Sequence, residues 1–269
     1  MPNRIALLIP GHDARAAVER ELQGLAAPHV CETMSGLAEL AERRPPLRAV
    51  VTAARDRNGT AVMPALILLR ERLPRLPFVL VGPPSGDALD EVQHLVSDQP
   101  HLGLEFAADE AGDLAHVLRI ALQPTYIPSA AGVLAHRLVP LVAPLARPLV
   151  ALGALKALPK LDVGTAAAWL RVPAKTLYGH ISGARLGSPK PVLGRLAALH
   201  AVWWLERGWT AQQVASAMGF ALPGTVGDLV RDYAGGSVRD YRAPGSFYAL
   251  LDQAAETFRW QTGDHLSSG

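Results

Sequence analysis

The sequence predicts a chain in two parts, a doubly wound parallel α/β sheet followed by an all-helical region. Over residues 1–125, five apolar runs alternate with helical patterns, which is typical of a parallel sheet with helices on both faces. From Leu161 onward only helical patterns recur, and a leucine-rich stretch interrupted by prolines lies between the two parts. We therefore expect an N-terminal domain over residues 1–125, a helical linker over 126–160 and a C-terminal domain over 161–269.

The five predicted strands are short runs in which most residues are apolar, as in strands that are buried on both faces. They are Arg4–Ile9, His29–Glu32, Leu47–Thr52, Pro77–Gly82 and Leu102–Phe106. The helical patterns that follow them in turn are Asp13–Leu25, Ser35–Arg43, Ala61–Leu73, Gly86–Ser97 and Gly112–Leu122. Five strand–helix units in this order predict a flavodoxin-like domain.

The linker contains a stripe of leucines that recur every three or four residues, as on one face of a helix. They are Leu134, Leu138, Leu141, Leu145, Leu149, Leu152 and Leu155. We expect a broken or kinked helix, because each interior proline costs a helix about 3 kcal/mol. This helix either packs on a neighbouring domain or pairs with its copy in a dimer. A membrane span over Leu138–Leu158 is not expected, because Arg147 lies near its middle.

Charge is unevenly distributed along the chain, although the net charge is only +2. Residues 156–269 hold 12 Lys and Arg against 8 Asp and Glu, and no acidic residue occurs from Val163 to Leu205. This asymmetry indicates that the C-terminal part meets a polyanion. The single cysteine, Cys31, excludes an internal disulfide, and the first apolar run is too short for a signal peptide, so we expect a cytoplasmic protein.

In element order, the first domain resembles the receiver domains of response regulators. That resemblance implies acidic residues for Mg²⁺, an acceptor aspartate after the third strand, a hydroxyl residue and a lysine. Here only Asp13 follows the first strand, Thr52 stands at the acceptor position, and Asp56 lies four residues late. Prolines follow Gly82, and Glu105–Glu110 lacks a lysine. We expect a pseudo-receiver that is not phosphorylated and holds no metal or cofactor.

The loops at the carboxyl ends of the strands are where ligands bind in doubly wound sheets. Their polar residues are His12, Asp13, Arg55, Asp56, Arg57 and Asn58. These side chains either form a small-molecule or anion site, or they are the solvated and capping groups of ordinary loops. Because no nucleophile accompanies His12 and Asp13, we do not expect an enzyme.

The predicted C-terminal helices are Val163–Leu170, Pro173–Gly183, Pro189–Glu206, Ala211–Met218, Pro223–Ala234 and Ser246–Arg259. Thr210 and Gln213 have the spacing of a capping box, and Gly219 stands where a left-handed residue ends a helix. Pro173 suits the first position of a helix. The tryptophans Trp203, Trp204 and Trp209 are expected to pack between helices.

This region resembles the AraC-type DNA-binding domain, in which a long helix joins two helix-turn-helix units. The first unit matches as VGTAAAWLRVPAKTLYGHI (Val163–Ile181), with Leu177 and Ile181 on its buried side. The joining helix matches as SPKPVLGRLAALHAVWWLERG (Ser188–Gly208), and the second unit as TAQQVASAMGF (Thr210–Phe220). YAGGSVRDYR (Tyr233–Arg242) closes the match. The resemblance implies an all-helical double helix-turn-helix that binds double-stranded DNA.

Most side chains that are candidates for DNA contact lie in or near the first unit. The candidates are Lys175, Thr176, Tyr178, His180, Ser182, Arg185 and Lys190, with Thr225 and Arg231 from the second unit. Such residues bind phosphates or base edges. In the second unit the reading positions hold Leu222, Pro223 and Gly224, and Asp228 repels phosphate.

We therefore expect a transcription regulator that binds duplex DNA mainly through its first unit and forms a homodimer. A partner protein or a small-molecule effector would act on the pseudo-receiver. The alternative is an interaction or scaffolding module that keeps the regulator fold without reading a DNA sequence.

Overall fold

The structure, a computed structural model, describes residues 4–42, 47–83, 86–100, 102–108, 112–156 and 162–259. They form two compact units, divided between Gly132 and Val133, so the division falls within the predicted linker. The end of that linker (157–160) and the end of the predicted C-terminal domain (260–269) lie outside the described residues. So do Arg43, Pro84, and residues 109 and 110 of the stretch that lacks a lysine.

The first unit contains a fully parallel five-stranded sheet in the order β2-β1-β3-β4-β5, which is the flavodoxin-like order. The strands are β1 Arg4–Leu8, β2 Ala27–Val30, β3 Leu47–Thr52, β4 Phe78–Gly82 and β5 Leu104–Ala108. The predicted fold class is confirmed. β2 lies slightly earlier in the chain than predicted and β5 slightly later, because apolar content alone does not define the paired register.

Helices cover both faces of this sheet. They are α1 His12–Leu22, α2 Met34–Glu42, α3 Met63–Arg72, α4 Gly86–Asp98 and α5 Asp113–Ala121. On one face, Val18 of α1 and Leu118 of α5 pack with Ile5, Val51 and Val79 of the strands, all of them buried. The predicted start of the third helix at Ala61 is wrong, because Arg55 and Ala61 instead form an antiparallel bridge that closes a loop before α3.

The leucine-rich segment is broken at its prolines. α6 Ala131–Leu138 crosses the division between the units, two 3-10 turns follow at Val139–Leu141 and Pro144–Ala146, and α7 is Arg147–Leu155. α7 packs on the long helix of the second unit so closely that a Cβ at Gly153 would lie 2.6 Å from Leu196 Cδ1. Leu145 departs from the predicted stripe, since it is 63% exposed. No helix among the described residues is long and apolar enough to cross a bilayer.

From Val163 the second unit is entirely helical. Its helices are α8 Val163–Trp169, α9 Ala174–Gly183, α10 Pro189–Glu206, α11 Ala211–Met218, α12 Gly224–Ala234 and α13 Ser246–Phe258. α8 with α9 and α11 with α12 form two helix-turn-helix units, which α10 joins, as predicted. Trp204 stacks on Trp209 with ring centres 5.2 Å apart, and Trp203 contacts the ring of Phe247 edge-on at 4.8 Å.

A histidine lies in the core between α7 and α10. His200 is fully buried, and its Nε2 lies 3.0 Å from the carbonyl oxygen of Ala154, so we assign the proton to Nε2. Its Nδ1 has no hydrogen-bond partner among the described residues. Burial lowers the pKa of His200 to about 4, against the carbonyls of Ala154 and Gly153, which raise it. The ring is therefore neutral in the folded protein at neutral pH.

Candidate nucleic-acid interface

The first helix-turn-helix unit is held together by a small apolar core and a capped first helix. Ala167, Leu177 and Ile181 are buried where α8 packs on α9, and the burial of Leu177 and Ile181 is as predicted. Asp162 caps α8, since its Oδ1 accepts a hydrogen bond of 2.7 Å from the backbone N–H of Thr165. That bond, together with others at the same carboxylate, lowers the pKa of Asp162. α9 begins at Ala174, so Pro173 precedes the helix rather than opening it.

The buried residues of α9 leave its other face open to solvent. Lys175, Tyr178 and Ser182 are exposed and lie along one side of the helix, with Tyr178 47% exposed. Thr176 and His180 are partly buried beside that row. The helix therefore presents cationic, aromatic and hydroxyl groups together on a surface that its own unit leaves uncovered.

Two arginines at the ends of this unit's helices adopt left-handed backbone conformations. Arg171 follows α8 with φ of 54°, and Arg185 follows α9 with φ of 59°. Both positions are stabilised by backbone hydrogen bonds to the preceding turn, from Val172 to Ala167 at 3.0 Å and from Leu186 to Ile181 at 3.1 Å. This bonding is the usual way to end a helix, and glycine is the residue that normally occupies the left-handed position.

The second helix-turn-helix unit has glycine at the equivalent places. Gly219 ends α11 with φ of 71°, and Gly235 ends α12 with φ of 79°. The left-handed end at Gly219 and the capping box formed by Thr210 and Gln213 are both as predicted. The two units therefore end their helices with the same geometry, but only the first unit places a cation at each end.

The face of α12 is less cationic than that of α9. Arg231 is exposed, but it forms ion pairs with Asp228 at 2.5 Å and with Asp232 at 3.7 Å. Thr225 lies partly exposed in the first turn of α12, and Leu222 just before it is 68% exposed. The structure thus places these residues on the outside, with the charge of Arg231 already balanced.

The joining helix α10 contributes one exposed cation near the first unit in sequence. Lys190 is exposed in the first turn of α10, and Arg195 is partly exposed one and a half turns later. α12 packs closely on this helix, because a Cβ at Gly194 would lie 2.4 Å from the ring of Tyr233. Apart from these positions most of α10 is buried, so it acts as the core of the whole helical C-terminal unit.

At the carboxyl edge of the sheet, Asp56 serves the loop that follows β3. It is buried, and its carboxylate accepts hydrogen bonds from the backbone N–H groups of Met34, Asn58 and Thr60. Burial raises the pKa of Asp56, but these bonds outweigh it and leave the pKa below its usual value. Thr52, at the acceptor position of the receiver resemblance, is also buried and donates its hydroxyl to the Ala53 carbonyl at 2.8 Å.

The other polar residues of that edge are engaged with one another or lie in solvent. Arg57 forms an ion pair with Glu32, and Arg55 forms one with Glu91 at 2.7 Å. His12 and Asp13 are fully exposed side chains 3.5 Å apart. Within the described part of the chain, no group of three or more His, Cys, Asp or Glu is arranged to hold a metal ion.

Comparisons with known proteins give only distant likenesses. No family model matches the chain, and no curated protein matches it significantly. A structure of the adenylate cyclase of Rhodopirellula baltica is 13% identical with a TM-score of 0.39, covering 45% of this chain and 88% of that one. A structure of the Salmonella typhimurium RcsB response regulator, concerned with DNA interaction, is 10% identical with a TM-score of 0.37, covering 94% and 99% respectively.

Proposed function

We propose that this protein is a transcription regulator without enzymatic activity, whose AraC-like second unit binds duplex DNA. The first helix-turn-helix unit makes most of the contacts, with α9 in a major groove. The exposed row of α9, Lys175, Tyr178 and Ser182, contacts base edges and phosphates, with Thr176 and His180 beside it. Lys190 follows the phosphate backbone.

The observation that carries this proposal is the pair of left-handed arginines. A side chain in this conformation costs about 1–2 kcal/mol relative to the right-handed region. The second helix-turn-helix unit avoids that cost with Gly219 and Gly235. Strained backbone of this kind clusters at functional sites. Arg171 and Arg185 flank the exposed helix α9, so each is well placed to bind a phosphate on one side of the groove.

The charge distribution supports the same assignment. No acidic residue occurs between Val163 and Leu205, so nothing within that stretch opposes an approaching phosphate backbone. In the second helix-turn-helix unit the carboxylates of Asp228 and Asp232 lie beside Arg231. We infer that Thr225 and Arg231 contribute less to DNA affinity than the residues of the first helix-turn-helix unit.

The receiver-like first unit is proposed to work without phosphorylation. The carboxylate of Asp56 is occupied by three backbone N–H donors, and Thr52 offers no carboxylate at the acceptor position. A phosphoryl group on Asp56 would have to displace those hydrogen bonds. Regulation then depends on homodimerisation, a partner protein or a small-molecule effector, and the protein acts in the cytoplasm.

A second candidate function is an interaction module that keeps this fold without reading a sequence. The ion pair of Arg231 with Asp228 favours it for the second helix-turn-helix unit, because a paired arginine offers less charge to a phosphate backbone. Under this alternative, the exposed row of α9 would contact protein rather than nucleic acid.

Salt dependence of binding to random duplex DNA distinguishes the two functions. A DNA-binding protein loses affinity steeply as salt rises, with a slope of about −0.9 for each phosphate contact. We expect measurable binding at low salt, and a shallower slope in Arg171→Ala. Arg259→Ala is the matched control. Arg259 is an exposed arginine of the same helical C-terminal unit, but it follows both helix-turn-helix units and is ion-paired with Glu256 on α13. Absence of binding at low salt would favour the interaction module.

A further inference from the structure

A cleft of about 850 Å³ opens in the receiver-like first unit, at the amino-terminal edge of the sheet. Its walls are the start of β3 at Leu47, the turn from Leu73 to Pro77 between α3 and β4, and the segment from Gln123 to Tyr126 after α5. Ligand pockets for small molecules usually have volumes of roughly 300–1,000 Å³. The cleft lies opposite the carboxyl edge, where ligands of doubly wound sheets are normally expected.

Four arginines line this arginine cleft, namely Arg48, Arg70, Arg72 and Arg75, and none of its described lining residues is acidic. Arg48, Arg72 and Arg75 are exposed to solvent. In the described part of the chain, no ion pair joins Arg48 or Arg75 to a carboxylate, and the Nη2 of Arg48 donates only weakly, at 3.4 Å, to the Leu122 carbonyl. A cleft lined by one sign of charge concentrates the electrostatic field and attracts counter-ions.

Arg70 is held rigidly in the wall of the cleft. Its Nη1 donates to the Pro74 carbonyl at 2.7 Å, its Nη2 donates to the Leu102 carbonyl, and its guanidinium lies 4.5 Å over the ring of Phe78. The Nε of Arg70 is buried without an acceptor among the described residues. Burial lowers the pKa of Arg70 from a value so high that the side chain stays charged at neutral pH.

Besides the arginines, the wall has an apolar part and a few polar residues, among them Gln123, Thr125 and Tyr126. The Tyr126 hydroxyl donates to Glu105 Oε1 at 2.8 Å, and the Ser129 backbone N–H donates to the same oxygen at 2.7 Å. Glu105 is therefore engaged by its neighbours and does not line the cleft. Leu47, Leu73 and proline rings supply apolar surface beside the cations.

We propose that the arginine cleft binds a small organic polyanion that carries a phosphoryl group, with Arg48 and Arg75 as its principal contacts. Guanidinium groups bind phosphate oxygens with paired, charge-assisted hydrogen bonds. The apolar wall holds the organic part of the ligand. A duplex is convex and too wide to enter a cleft of this volume, so the site is separate from the proposed DNA interface.

The experiment is isothermal titration of the full chain with inorganic pyrophosphate and with a nucleoside triphosphate. We expect saturable binding of both at one site, tighter for the nucleotide because it adds apolar contact. Arg48→Gln and Arg75→Gln should each weaken binding about tenfold, the effect of losing one charge-assisted contact. Arg20→Gln is the matched control, because Arg20 is exposed on α1 and, among the described residues, its side chain bonds only to the Ala16 carbonyl of its own helix.

Failure of both probes to saturate the wild-type protein would overturn the proposal. So would wild-type affinity for the probes in both Arg48→Gln and Arg75→Gln. If these two variants instead lost affinity for duplex DNA while probe binding stayed unchanged, the cleft would be a nucleic-acid surface and the proposal would be wrong. Circular dichroism melting of each variant verifies that the fold is intact. The variants separate this proposal from DNA binding by the helical second unit, because Arg48 and Arg75 lie in the receiver-like first unit.

Discussion

Replacing Arg185 by glycine separates its proposed DNA contact from its effect on stability. At φ of 59° a Cβ atom costs about 1–2 kcal/mol, whereas glycine avoids this cost but loses about 0.5–1 kcal/mol because its unfolded chain is more flexible. We therefore expect Arg185→Gly to raise the free energy of unfolding by roughly 0–1.5 kcal/mol. Arg185→Ala keeps the Cβ and the strain, so it should be no more stable than wild type.

Both substitutions remove the same guanidinium and should therefore weaken DNA binding equally. Loss of one phosphate contact makes the slope of log K against log salt shallower by about 0.9. At fixed low salt we expect affinity to fall roughly fivefold, equivalent to about 1 kcal/mol. Fluorescence anisotropy with a labelled duplex measures affinity and slope, and urea unfolding followed by circular dichroism measures stability.

Two results would refute this reasoning. An unchanged salt slope in both variants would show that Arg185 does not contact phosphate. A glycine variant clearly less stable than the alanine variant would show that the left-handed conformation does not strain this position. A more stable protein that binds DNA less well is the combination expected of a residue retained for function.

Lys175→Ala should reduce DNA affinity and leave the unfolding midpoint unchanged, whereas Arg231→Ala should have the smaller effect because Arg231 is already paired with two carboxylates; anisotropy measures both, and equal losses would contradict this ranking. Acetyl phosphate should leave the protein unmodified by intact mass, and a stoichiometric phosphoryl group on Asp56 would contradict the pseudo-receiver assignment. The low pKa of His200, about 4 against about 6.5 in the unfolded chain, means that its contribution to stability is complete above pH 6.5 and is lost as pH falls toward 4. That loss, on the order of 3 kcal/mol, should be absent in His200→Gln, and identical pH profiles from urea unfolding would disprove it.

The sheet and the two helix-turn-helix units could be predicted because local patterns determine them. Apolar runs such as Leu47–Thr52, in which the last four residues are all buried, identify a central parallel strand. The spacing of Thr210 and Gln213, and a glycine at 219, define where α11 begins and ends. The buried positions Leu177 and Ile181 follow from helical periodicity.

The features that depend on backbone conformation or on distant segments could not be predicted. Arginine is not a residue expected at positive φ, so its sequence gives no sign that Arg185 ends a helix in this way. Asp56 looks like an exposed loop residue until the loop closes over it and brings the N–H of Met34 to its carboxylate. The arginine cleft combines Arg48 with Arg75 and the segment after α5, which only the folded sheet brings together.

The central claim is that the first helix-turn-helix unit makes most of the DNA contacts. Site-specific photo-crosslinking to DNA tests it most directly. A p-benzoylphenylalanine at Tyr178 on α9 should crosslink a bound duplex efficiently, and one at Thr225 on α12 should do so weakly. Tyr248 on α13 is the control, since it is 48% exposed against 47% for Tyr178 and lies outside both helix-turn-helix units. Strong crosslinking from Thr225 with none from Tyr178 would contradict the account.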